Sequence, residues 1–167
     1  MVNAKDEIID AFLILIDEKD FGLLTVKDIV EKSGYSRSTF YLHFTDKYDL
    51  LDVVRTMLNE KFLSFYHDEN TSSQHVTRHL CRHILLYRAF YRMEFSDPEA
   101  VVKLSNALAE TLFTTFDDWD YAIFASYGTV GYLHKWLKEG FVISPNEAAD
   151  KLMKIGHTDW TMMHGGS

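Results

Sequence analysis

At 167 residues, 47% hydrophobic and 14% aromatic, the chain is long enough for one good core or for a small module fused to a larger one. Two prolines and eight glycines are too few for an all-β design, and the single cysteine excludes an internal disulfide. No stretch approaches the ~20 apolar residues of a membrane helix, and the net charge of −8 counts against a nucleic-acid partner, which is bound largely through its phosphates.

Residues 3–19 repeat apolar positions at helical spacing: Ile8, Ile9, Phe12, Leu13, Leu15 and Ile16. Asp6 and Glu7 lie in the first turn, where acids favour the helix dipole. With Asp10 they also interrupt any signal-peptide pattern, which together with the lone Cys81 points to a cytoplasmic protein. Thr25 to Leu51 (TVKDIVEKSGYSRSTFYLHFTDKYDLL) reads as a short helix, a glycine turn, a second short helix and the start of a long one. Thr25 is the N-cap, with Asp28 placed to reach back to it, Gly34 supplies the turn, and Ser36 caps the next helix. There Phe40 and Phe44, four apart, share a buried face. Arg37, Ser38, Thr39, Tyr41, Leu42 and His43 are left on a helix barely two turns long. Such a helix suits a DNA major groove. Residues 1–50 hold six Lys and Arg against ten Asp and Glu, yet no acid falls between Lys32 and Leu42.

Asp46 opens a helix carrying Leu50, Leu51, Val54, Leu58, Phe62 and Phe65, which continues to about His67 and links the module to the second half. Asp68 to Ser73 reads as a loop, and one helix is predicted from Gln74 to Met93. Ser96-Asp97-Pro98-Glu99 starts a helix toward Phe116, with a break near Leu104 to Ala107. Asp117-Asp118 introduce another from Trp119 to Lys138, ended by Gly140, and Ser144-Pro145-Asn146-Glu147 opens the last, to about Ile155. No strand pattern and no internal repeat is present, so the predicted fold is all-α. Its expected divisions are a helix-turn-helix domain at 1–46, a helical regulatory and dimerisation domain at 47–157, and a disordered tail at 158–167.

The motif as a whole resembles the N-terminal domain of the TetR/AcrR family of bacterial transcriptional regulators. The resemblance rests on Thr25, Asp28-Ile29, Gly34-Tyr35-Ser36-Arg37, Thr39-Phe40-Tyr41, His43-Phe44, Lys47 and Leu50-Leu51. It covers about a quarter of the chain, and Trp136 to Leu152 is more loosely similar to the family's last two helices. It implies that Ser36 to His43 enters the groove, with Arg37, Ser38, Thr39 and Leu42 facing base edges. Tyr41, His43, Lys47 and Thr25 would then meet phosphates. It further implies a homodimer on a palindromic operator, released by a small-molecule effector, with no cofactor and no membrane partner. Many members carry a basic N-terminal arm; here only Lys5 stands amid acids, which predicts modest, salt-sensitive affinity. A reading in which the fold is kept and the partner is a ligand or another protein stays open.

Three further features carry readings of their own. Aromatics crowd the second half, and Phe62, Tyr66, Tyr87, Tyr91, Phe113, Phe124 and Tyr127 are candidates for an effector pocket, or else ordinary core. Gly128 and Gly131 interrupt a helix with small residues, so Ala122, Ala125, Thr129, Leu133 and Trp136, with Leu152, are the candidate dimer interface, the alternative being an internal contact with the last helix. His75, His79 and His83 recur every four residues. They could chelate a metal or sense pH, or simply form a half-exposed face. Arg78, Arg82, Arg88 and Arg92 either pair with acids such as Asp17, Glu18 and Asp20 or attract an anion. No nucleotide loop, acid pair or Ser-His-Asp order indicates an enzyme.

Overall fold

A computed structural model describes residues 3–67 and 72–157. Among these are α1 (Ala4–Glu18), a 3-10 turn (Phe21–Leu23), α2 (Val26–Ser33), α3 (Arg37–His43), α4 (Lys47–Ser64) and α5 (Ser73–Leu86). They are followed by α6 (Arg88–Glu94), α7 (Pro98–Phe116), α8 (Trp119–Lys138) and α9 (Pro145–Gly156), and no strand occurs among the described residues. The fold is all-α. Side-chain caps set the helix starts where the sequence places them: Thr25 and Asp28 bond reciprocally, as do Ser144 and Glu147, while Asp97 and Asp118 accept from the first turns of α7 and α8. The predicted disordered tail at 158–167, and most of the loop after His67, lie outside the described residues.

Two expectations need correction. The helix predicted from Gln74 to Met93 is two helices, α5 and α6, divided at Tyr87. No proline or glycine marks the division; the two halves answer to different neighbours, α5 to α9 and α6 to α1. The break predicted in α7 is absent. The Ser105 hydroxyl donates back to the Val101 carbonyl at 2.8 Å without interrupting the backbone ladder, and Leu104 and Leu108 are buried.

The chain forms two compact units, one of Met1–Lys61 with Tyr87–Glu94, the other of Phe62–Leu86 with Phe95–Ser167. In the first, Ile8, Phe12, Ile29, Phe40, Phe44, Leu50, Val54 and Leu58 are at most 2% exposed, so α1 to α4 share one core. Helix α6 completes it. Phe90 and Tyr91 are fully buried, and the Tyr91 hydroxyl donates to the Leu58 carbonyl. The Arg55 Nε bonds both oxygens of buried Glu94 at 2.9 Å, while Arg55 also pairs with Asp52 and Arg88 with Asp17.

In the second unit α7 packs along α8 and α5 against α9. Leu104, Leu108 and Leu112 are buried on α7, and Ala122, Val130, Leu133 and Leu137 on α8. Arg78 pairs with Asp150 and Arg82 reaches Asn146, both at 3.4 Å, so these arginines tie α5 to α9. Arg88, in the first unit, meets Asp17 of the first helix.

Candidate nucleic-acid interface

The local chemistry of residues 20–49 aims one short helix outward. In α2 the Asp28 carboxylate accepts from the Thr25 amide at 2.8 Å, the Thr25 hydroxyl at 2.7 Å and Lys19 at 2.9 Å. The Lys19 ammonium, then the Thr25 donors, hold its pKa down at about 2. Gly34 ends α2 with φ of +77°, a left-handed conformation that glycine adopts without penalty. The Tyr35 hydroxyl that follows is hydrogen-bonded to Glu7 of α1, and the carboxylate raises its pKa. Ser36 then accepts from the Thr39 amide at 3.1 Å and starts α3.

Two phenylalanines hold α3 in place. Phe40 and Phe44 are buried with ring centroids 5.5 Å apart, which leaves the opposite face to solvent. That face carries Arg37, Ser38, Tyr41 and Leu42, with Tyr41 56% and Leu42 82% exposed. Exposing a leucine to that extent costs hydrophobic free energy that the isolated chain does not recover. Arg37 has no ion-pair partner among the described residues, whereas Lys32, the other flanking cation, is held by Glu18 at 3.1 Å. His43 is exposed at the end of the helix.

Three predicted contacts are placed differently from the rest. Thr39 is half-buried, and its hydroxyl lies 2.9 Å from that of Ser36 in the cap. The Thr25 hydroxyl is taken up by Asp28. The Lys47 ammonium donates to the carbonyls of Phe21, Gly22 and Leu24 at 2.9, 3.1 and 2.8 Å, so a phosphate contact from it must replace one of these bonds.

The seven residues of the predicted effector pocket are distributed over both units. Tyr87 and Tyr91 belong to the first unit and the other five residues to the second. Tyr91 is core, Phe113 stacks on Trp119 at 4.4 Å, and Phe124 is 69% exposed. Phe62 is buried, the Tyr127 hydroxyl bonds Asn106, and the Tyr66 hydroxyl bonds Thr129, with burial raising the Tyr66 pKa. A cleft of about 450 Å³ does open beside the end of α8, between Tyr132, Lys135, Trp136, Val142 and Lys151. None of the seven lines it.

The predicted interface set is also divided. Ala122, Leu133 and Trp136 are buried inside the second unit, while Ala125, Thr129 and Leu152 are half-buried. Periodicity identified the apolar residues of α8 but not which of its two faces α7 covers. Gly128 and Gly131 lie on the outer side, where a Cβ on either would meet no atom within 4 Å, so no described part of this chain packs closely against them. Exposed with them are Tyr121, Phe124 and Tyr127.

The histidines form a stack. His75 and His79 have ring centroids 5.3 Å apart, His79 stacks on Phe65, and buried His83 meets the same ring edge-on. No group of three metal-ligating side chains is assembled among the described residues. Cys81 is fully buried, and burial pushes its pKa up to about 12.

Comparison with known proteins agrees with this geometry. Residues 8–54 match the family model described as bacterial regulatory proteins, tetR family. Two HTH-type transcriptional regulators of Bacillus subtilis (strain 168), YxbF and YfiR, are 34% and 38% identical over 56 and 55 residues. These matches span 33% and 32% of this chain but only 15% and 27% of those proteins. Over the whole length, a transcriptional regulator from Aquifex aeolicus VF5 has the same fold, with a TM-score of 0.72 at 16% identity, covering 91% of this chain and 96% of that one. Residues 8–54 thus match the tetR family's model, and the chain as a whole has the fold of a solved transcriptional regulator.

Proposed function

We propose that this protein is a dimeric, cytoplasmic DNA-binding regulator that acts as a repressor at a palindromic operator and is released by a small-molecule effector. The observation that carries the reading is the outward face of α3, where Arg37, Ser38, Tyr41 and Leu42 stand exposed on a helix anchored by Phe40 and Phe44. Arg37 offers bidentate donors to a guanine, Leu42 an apolar surface to a thymine methyl, and Tyr41 a hydroxyl to a phosphate. The dimer is supported by the uncovered side of α8, where Phe124, Gly128 and Gly131 form a surface that a second copy can match by two-fold symmetry. Two recognition helices would then enter the groove one DNA turn apart, about 34–36 Å. Release requires an effector that binds the DNA-competent and incompetent states unequally.

The test is a gel shift on the DNA flanking the protein's own gene, across a salt series. Binding should weaken steeply with salt, and Arg37→Ala should cost about 1–3 kcal/mol and relax the sequence preference at one base pair. If Arg37→Ala and Tyr41→Phe both bind as the parent does, α3 is not the reading helix.

A further inference from the structure

Lys47 stands at the first turn of α4, and its ammonium reaches back 23 to 26 residues in sequence to the turn between α1 and α2. An ammonium has three protons and no acceptor, and here three carbonyls, those of Phe21, Gly22 and Leu24, lie 2.8 to 3.1 Å from it. The same group sits 4.7 Å from the centroid of the Phe21 ring and 5.3 Å from that of Tyr48. Phe21 in turn meets Phe12 and Tyr48 edge-on, so the cation lies beside rings that join the core to its margin. The Leu24 carbonyl that it holds begins the peptide bond to Thr25, the N-cap of α2. Lys47 therefore fixes the backbone immediately before the helix start whose free amides a phosphate can use.

We propose that Lys47 is a positioning residue rather than a phosphate contact: its ammonium pins the turn Phe21–Leu24 to α4 and so sets where the N-terminus of α2 meets the DNA backbone. The inference rests on the DNA-binding reading for its consequence but not for its geometry. Arginine is not an equivalent replacement, since a planar fork cannot converge three donors on three carbonyls around one point.

Two measurements on the full-length protein test it. In the first, binding of the parent and Lys47→Met to the flanking-gene duplex is followed by fluorescence anisotropy over a salt series, at a temperature where circular dichroism shows both folded. Positioning predicts an affinity loss of about tenfold with the slope of log K against log salt unchanged. A slope smaller by about 0.9 identifies a direct phosphate contact and overturns the proposal. An unchanged affinity makes Lys47 merely structural and also overturns it. The second needs no DNA: nitrogen-15 spectra should show the Lys47 ammonium protons in slow exchange, and Lys47→Met should lose amide protection at Leu23 and Leu24. Rapidly exchanging ammonium protons, or full protection in the variant, refute the pin. Should the parent bind no DNA at low salt, the regulator reading fails while this second measurement still decides the pin.

Discussion

Asp28 shows how a single half-buried carboxylate can organise a binding motif. It bonds the backbone and hydroxyl of Thr25 and the ammonium of Lys19, and these donors favour its charged form. Because its folded pKa lies near 2 rather than 3.8, it stabilises the native state most fully above the unfolded value, and that contribution is lost as pH falls through about 2. Asp28→Asn should therefore lower the melting temperature by a constant amount at neutral pH. The difference from the parent should shrink as the pH falls from 3.8 to about 2, which thermal melts across an acid series would record. Thr25, Asp28, Gly34 and Ser36 could all be read from the sequence because each acts on a neighbour within a few residues. Lys47 could not: its partners lie more than twenty residues away and are backbone carbonyls, which no side-chain pattern announces.

Among the elements, α8 gives the sharpest expectation. Gly128 and Gly131 are solvent-facing in the middle of a 20-residue helix, where each costs about 1 kcal/mol relative to alanine. Gly128→Leu should leave the monomer fold as stable or slightly more so, since the added side chain meets open space. The same change should block close approach of a second copy. Sedimentation velocity and thermal melts on one sample would show both effects; an unchanged dimer would remove this face of α8 from the interface. Here the sequence pattern marked the helix and its small residues but did not separate its two sides: Ala122, Leu133 and Trp136 are as apolar as an interface and are covered by their own unit, while Ala125 and Thr129 are half-buried. The division between α5 and α6 escaped for a related reason. His83, Ile84, Phe90 and Tyr91 are all buried, and continuous helical periodicity does not reveal that they serve two separate cores.

For the whole molecule, the net charge of −8 sits less awkwardly with DNA binding once the acids are located. Asp20, Asp46 and Asp49 accept backbone amides as caps, Asp17, Glu18 and Glu31 are ion-paired, and Glu7 is bonded to Tyr35. None lies on α3, whose first turn is free of acid. The acidity serves the architecture, and its cost falls on long-range attraction, consistent with an affinity that salt weakens readily.

The place of α6 bears on how this protein could be cut and recombined. Its first compact unit is not a contiguous N-terminal piece: it includes Tyr87–Glu94, contributed after the chain has already built α5. A DNA-binding fragment ended at Lys61 would lack Phe90 and Tyr91, leave the apolar surface they cover wet, and strip Arg55 of Glu94. Such a fragment should melt well below the intact protein, and grafting residues 87–94 back through a flexible linker should recover much of the loss. A chimera that exchanges the second unit at that boundary would inherit the same defect. The seam for engineering has to follow the discontinuous unit, carrying α6 along with the reading head it helps to build.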